Sequence, residues 1–283
     1  MKSRREFLTL AVGTVACAAI SAQARKSAAR QPIGLQLYTL RQQAESDLPK
    51  TLATVRAAGY DEVELYWNVY SHPAPELKRM LRDAGLSAPS GHFDYDGMES
   101  KLDYARELGL KYVVCPILPD SMRTSAKSFR TVAERFNQFG EKVQKLGMTF
   151  AFHNHNYEFR QFDGHTGFDI LMKNTDPKLV KLEMDCYWIT QAGRDPVTMM
   201  TQYKDRIRML HLKDRKPGFD TSQELNKPAE HFTEFGTGSI QWLPILAKAK
   251  AIGVRYYFIE QDEMERPPTE SITTSLQNLR KMM

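Results

Sequence analysis

Short apolar runs and amphipathic stretches alternate along the chain from residue 32 to its end. Eight runs read as buried strands: residues 33–40 (IGLQLYTL), 62–66 (EVELY), 86–93, 112–117 (YVVCPI), 149–152 (TFAF), 180–187 (VKLEMDCY), 207–213 (IRMLHLK) and 256–261 (YYFIEQ). Between them, apolar residues recur at helical spacing over 48–58, 75–84, 98–108, 125–146, 168–174, 196–203, 241–251 and 269–281, and several of these stretches stop at a glycine. Such alternation implies a parallel sheet covered by helices. Eight repeats in about 250 residues predict an α/β fold closed into a single-domain (β/α)8 TIM barrel, a size usual for that fold. An open, doubly wound sheet is the alternative, but the first strand lacks the glycine-rich phosphate turn of such sheets. The connection over 214–238 is longer than usual and reads as a lid or binding loop.

The N-terminus has a different pattern. Lys2, Arg4 and Arg5 precede a mostly apolar run over 7–20, and Ala22-Gln23-Ala24 offers small residues for cleavage. Residues 1–24 are therefore expected to be a signal peptide, and Ser3-Arg4-Arg5-Glu6-Phe7-Leu8 resembles the twin-arginine export motif. Residues 25–31 read as a linker and 32–283 as the barrel. Cleavage after Ala24 is preferred to lipidation at Cys17, and the apolar run is short for a membrane anchor. The expected location is the periplasm or another exported compartment, with no membrane association once the signal is removed.

Charge changes meaning once this segment is set apart. Residues 1–30 hold six basic residues against Glu6, which accounts for the whole formal charge of +5, so the remainder is formally neutral. No basic face for phosphates is evident, and nucleic acid is not an expected partner. Three cysteines exclude a disulfide-dense scaffold. Cys115 and Cys186 sit at the ends of different strands and are not expected to pair.

Active sites in such barrels lie at the C-terminal strand ends, and the polar residues there form a consistent set. The first three strands offer Gln36 and Tyr38, then Glu64, then His92. The fifth offers His153 and His155, with Glu158 beyond. The sixth offers Glu183 and Asp185, the seventh His211 and Lys213, the eighth Glu260 and Asp262. Spacing of two residues puts both members of a pair on one side of a strand, so His153 and His155 are expected to point the same way. Oxygen and nitrogen donors converging without a thiolate suit Mn²⁺, Mg²⁺, Co²⁺ or Zn²⁺. Asp185, His211 and Glu260 are the preferred ligands, with a fourth from the fifth strand.

Ile33–Arg41, Val63–Tyr66, His153–Phe159 (HNHNYEF), His211–Asp214 (HLKD), Phe235–Trp242 and Ile259-Glu260 together resemble the xylose isomerase-like barrel family. That family includes sugar isomerases, sugar 3-epimerases, inosose dehydratase and endonuclease IV. The resemblance implies a metal held by Glu, Asp, His and Glu on strands five to eight. Asp185, His211 and Glu260 match the last three, while His153 stands where the first Glu usually is. Either Glu158 folds back to supply that carboxylate or His153 takes its place. The histidine that often follows the sixth-strand Asp is replaced near Trp188.

The implied chemistry is proton abstraction next to a carbonyl, through a metal-stabilised enediolate, on a non-phosphorylated sugar or keto-sugar. His153 or His155 is the expected base, since imidazole titrates near neutrality. Lys213 is expected to stabilise the oxyanion. Gln36, Tyr38, Glu64, His92 and Trp188 are expected to bind substrate, with Trp67 and Phe93 as further stacking candidates. Returning the proton gives isomerisation or epimerisation. Loss of a β-leaving group gives a lyase or dehydratase acting on a 3-keto-glycoside or keto-polyol. A nuclease resembling endonuclease IV and a non-catalytic sugar-binding barrel are more remote readings. The expected partner is a small sugar, together with further copies of the chain if it forms a homo-oligomer.

Overall fold

The computed structural model describes residues 30–225 and 231–283. The expected signal peptide, residues 1–24, lies outside the described residues. Residues Pro32–Met283 make one compact unit. Eight parallel strands close in chain order: β1 (Gly34–Gln36), β2 (Glu62–Leu65), β3 (Ser87–His92), β4 (Tyr112–Cys115), β5 (Thr149–His153), β6 (Val180–Asp185), β7 (Ile207–Leu212) and β8 (Tyr256–Ile259). β1 pairs with both β2 and β8, with Gly34 opposite Glu62 on one side and Phe258 on the other. The sheet therefore has no edge, which rules out the doubly wound alternative.

The strands are apolar on both faces because both are covered. The outer faces pack against helices such as Ala126–Lys145, which buries Phe129, Val132, Phe136, Phe139 and Val143 along one side. Gly85 and Gly109 close the helices Ala74–Ala84 and Leu102–Leu108 in the left-handed conformation, with φ of 70° and 82°. Inside the barrel, Val114, Ala151, Met209 and Phe258 form a small cluster of their own, with Tyr112 and Tyr256 against it. The Phe258 ring fits because β1 carries glycine opposite it: a Cβ on Gly34 would lie 2.4 Å from the ring.

Two predicted strands end earlier than their composition suggests. β1 stops at Gln36, and Leu37–Leu40 forms a 3₁₀ turn in which the Gln36 side chain accepts from the Tyr38 amide at 3.0 Å. β6 stops at Asp185. The β-prone residues that follow form the helix Cys186–Gln191, capped by Asp185 Oδ1 accepting from Trp188 N at 2.9 Å. β5 ends at His153, one residue beyond the expected run, so His155 is not on the strand. Cys115 and Cys186 are buried free thiols.

The long connection is pinned rather than loose at its two ends. Asp214–Arg215 pairs antiparallel with Phe232–Thr233. The buried Asp214 carboxylate accepts from the amides of Arg215, Gly236, Gly238 and Ile240 and from Trp242 Nε1. A Cβ on Gly238 would lie 2.3 Å from that carboxylate, so glycine is required there. Among the described residues, no helix is long and apolar enough to cross a membrane.

Candidate active site

Strand register brings the polar side chains together. Gln36 lies opposite Glu64, Glu64 opposite Ser90, His153 opposite Glu183, and Asp185 opposite His211. Bulges between Glu62 and Glu64 and between Leu182 and Glu183 adjust this register beside the site, where such irregularities commonly re-aim side chains. All of these side chains are buried, so their free energy depends on the partners they find.

Glu64 is one centre of the network. Its Oε2 accepts from Gln36 Nε2 at 2.8 Å and lies 2.6 Å from His211 Nε2 and 3.1 Å from His92 Nε2, while Ser90 Oγ donates to Oε1. Burial opposes its charge, but His92 and His211 hold it ionised, well below the usual carboxylate range. Burial likewise opposes charge on His92, yet Glu64 and Glu183 lift it to about 9. Glu183 is the second centre. Its Oε2 lies 2.8 Å from His92 Nε2, 3.3 Å from His153 Nδ1 and 3.2 Å from His211 Nε2. The sequence marks Glu183 only through its spacing of two from Asp185.

The outer part of the site surrounds Lys213. Its Nζ is 2.9 Å from Glu260 Oε2, 3.0 Å from Asp262 Oδ1 and 3.4 Å from Asp185 Oδ2. Burial would neutralise the ammonium, but Asp262, Glu260 and Asp185 keep it charged, well above the ordinary lysine value. Glu260 Oε2 also meets His211 Nδ1 at 2.6 Å. Despite its burial, Lys213 and His211 hold Glu260 below the usual range. Burial lifts Asp185 to about 6 against Lys213 and His211. His153 and His155 are both driven well below the ordinary imidazole value, first by burial and then by cations that include Lys213. Each is thus a neutral ring.

Two sets of donors come close enough to share an ion. Asp185, His211 and Glu260 form one; His92, His153, Glu183 and His211 form the other. Asp185 Oδ2, Glu183 Oε1 and His153 Nδ1 are buried without a hydrogen-bond partner. Such atoms are costly unless something completes them, and this donor set suits a divalent metal. Glu158 is in neither group. It is fully buried, and its Oε2 accepts from the His155 amide at 3.0 Å, so it supports the turn that carries His155.

Above the donors opens a cavity of about 430 Å³. Tyr38 and Trp67 line one side, Trp188 and Phe232 another, with His92, His153, His155, Lys213 and Glu260 also exposed to it. His155 lies off its strand, but the turn still brings its ring within 5.0 Å of His153 and 5.1 Å of Trp188. Lys213 Nζ sits 5.5 Å from the Trp188 ring. Phe93 is not part of this wall. It stacks on Tyr70 in the core at 4.6 Å.

Residues 52–282 match the family described as a xylose isomerase-like TIM barrel. The sequence is 25% identical to an inosose dehydratase of Clostridium botulinum (strain Alaska E43 / Type E3), over 80% of this chain and 86% of the relative. The fold superposes on the crystal structure of a sugar phosphate isomerase/epimerase from Parabacteroides distasonis ATCC 8503 with a TM-score of 0.76. That protein is 28% identical, and the match covers 89% of this chain and 98% of that one. A structure of the IolI protein with a bound zinc atom gives a TM-score of 0.70 at 16% identity, covering 89% and 98%, which is a likeness of fold.

Proposed function

The chain belongs to the xylose isomerase-like TIM barrel family, and from that premise we propose that it removes a proton next to the carbonyl of a non-phosphorylated sugar or keto-sugar and expels a β-substituent. It is read as a carbon–oxygen lyase of the dehydratase kind rather than an epimerase. The observation that carries this reading is the pair of buried imidazoles that border the cavity: His153 stands where the family usually sets its first glutamate, and the His155 ring lies 5.0 Å from it. The 25% identity to an inosose dehydratase supports the same outcome.

His155 is the preferred base. Its Nδ1 has no hydrogen-bond partner, its ring borders the cavity, and Glu158 and Trp188 fix its position. Asp185, His211 and Glu260 would hold the divalent ion. When bound, that ion supplies Lewis acidity that makes the C–H next to a chelated carbonyl more acidic. Lys213 presents an ammonium to the oxygen on which negative charge develops. The proton that His155 takes up can return to the departing group, which leaves as water or as an alcohol. Tyr38, Trp67 and Trp188 offer faces for a sugar ring, and Gln36, Glu64 and His92 hold the floor beneath it. We place the enzyme outside the cytoplasm on the strength of its first 24 residues. That setting also favours a substrate without phosphate.

The test is incubation of the Mn²⁺-loaded protein with a 3-keto-glycoside and with an inosose in deuterium oxide. Mass spectrometry then follows label uptake and the product. Loss of water or of the aglycone is expected. Label uptake with both substituents retained would assign epimerisation or isomerisation instead. No exchange into either compound would sink the reading.

A further inference from the structure

Beside the cavity over the donors lies a second one, of about 460 Å³, on the same face of the barrel. Its walls come from three connections at the C-terminal strand ends: Asp120 and Arg123 after β4, Tyr157 and Arg160 after β5, and residues 223–225 from the long connection after β7. Leu225 borders both cavities. Tyr157 links them. The His155 ring, which borders the first cavity, is stacked on it at 5.8 Å and 15°, and the Arg123 guanidinium covers it at 4.5 Å. We infer that the second cavity is a subsite for a second, uncharged sugar unit, which makes the substrate disaccharide-sized and a sugar the departing group. The inference rests on the lyase reading above.

Size and lining decide the class of ligand. A volume of about 460 Å³ lies in the range of small-molecule sites. Two guanidiniums and two carboxylates, those of Asp120 and Glu224, leave the lining without net charge, which does not select an anion. Arg123 is already paired with Asp120. The Arg160 guanidinium donates from Nη2 to the Arg123 carbonyl at 2.8 Å, which leaves further N–H groups for a ligand. Guanidinium and amide donors beside carboxylate acceptors match hydroxyl groups, each of which both gives and takes a hydrogen bond. Among the described residues of the lining, Leu225 is the one aliphatic side chain, and the Tyr157 ring is covered by Arg123. An alkyl or aromatic departing group therefore has little to rest on.

The three connections are tied to one another, so the subsite is formed before a ligand arrives, which lowers the cost of binding. Asn156 Nδ2 donates to the carbonyls of Ser222 and Glu224 at 2.9 and 2.8 Å. Arg123 Nε donates to the Leu118 carbonyl at 2.9 Å, and the Leu118 amide donates to the Tyr157 hydroxyl at 3.0 Å. A 3-keto-disaccharide lying across Leu225 sets its keto ring over His155 and its second ring among these groups. His155 takes the proton next to the keto carbon, a C=C bond forms in the first ring, and the C–O bond to the second ring breaks. The second sugar leaves as an alcohol with that proton, so neither oxidant nor reductant is consumed.

The test is titration calorimetry of the Mn²⁺-loaded full chain with unoxidised sugars: the two anomers of methyl glucoside against maltose, cellobiose, trehalose and sucrose. These carry no keto group, so binding is read whether or not the lyase reaction occurs, and failure of one does not decide the other. At least one disaccharide should bind about tenfold more tightly than either methyl glucoside, the worth of one or two hydrogen bonds net of water. Gln223→Ala and Arg160→Met should each bring that ratio close to one. Gln223→Ala carries the test alone if the arginine variant does not fold, with folding checked by circular dichroism. No disaccharide tighter than the methyl glucosides, or a ratio that neither folded variant lowers, would overturn the subsite. Tighter binding of cellobionic acid, whose second unit carries a carboxylate, than of cellobiose would overturn its assignment to an uncharged sugar.

Discussion

Two neighbouring layers inside the barrel use the same strands for opposite purposes. In the lower layer β4, β5, β7 and β8 contribute Val114, Ala151, Met209 and Phe258. Two residues further on, the same strands present Pro116, His153, His211 and Glu260. Strand alternation sends both sets inward, so the backbone does not distinguish them. What differs is how burial is compensated. The lower layer is stable because its members fill space around one another, and any of several apolar residues of similar volume would serve. In the upper layer His211 faces Glu64, Glu183 and Glu260 within 3.2 Å, and each contact depends on the identity of both partners. One layer is tolerant in chemistry and strict in volume, and the other is the reverse.

The strongest way to break this contrast is to truncate β7 at both levels. Met209→Ala should cost about 2–5 kcal/mol through the cavity it leaves, while activity per folded molecule stays near that of the parent. His211→Ala should cost a similar amount, about 3–5 kcal/mol, because it strips buried carboxylates of their partner. It should also abolish activity, since His211 belongs to both donor groups. Denaturant melts and turnover on the folded fraction separate the two quantities. Equal activity loss in both variants would show that the layers are not functionally distinct.

A smaller effect is expected where the site touches substrate without holding the network together. His155→Gln removes the preferred base, and a loss on the order of 10²–10⁴ in kcat is expected for a general base. Stability and bound metal should be nearly unchanged, because the neutral ring of His155 makes no ion pair. If His153→Gln instead carries the larger loss in kcat with metal content intact, the two histidines exchange roles. Metal analysis alongside kinetics decides between a lost base and a lost ligand.

The upper layer was partly legible in the sequence. The alternation of strands and helices, the closed barrel and the inward pairs at spacing of two follow from periodicity alone, because successive side chains of a strand point to opposite faces. The ends of β1 and β6 do not. Tyr-Thr-Leu after Gln36 and Cys-Tyr-Trp-Ile-Thr after Asp185 are good strand formers, and local side-chain caps turn both into helical turns. Glu183 shows the other limit. Spacing puts it on the same side as Asp185, but its central place comes from His92 and His211 arriving on strands far away in sequence. His155 reaches the cavity by a turn beyond β5, so its position has a different cause from the strand alternation that pointed to it.

The mildest perturbation concerns Glu158, which resembles the lower layer in burial and the upper in chemistry. Burial lifts its pKa from the model-peptide value of 4.5 to about 8, partly offset by hydrogen bonds that include the His155 amide. Between those values the folded protein keeps a proton that the unfolded chain has released. The contribution of Glu158 is therefore complete below about pH 4.5 and is lost as pH rises to about 8. Glu158→Gln cannot release that proton, so relative to the parent it should gain stability as the pH is raised from 5 to 9. Denaturant melts at pH 5, 7 and 9 measure the difference. A difference constant with pH would mean that the carboxylate is already ionised in the folded protein at pH 5, which inside this barrel requires a cation beside it. Metal content then distinguishes the two: Glu158 outside the donor groups predicts the same bound metal in the glutamine variant, and a drop in metal would make Glu158 the strand-five ligand.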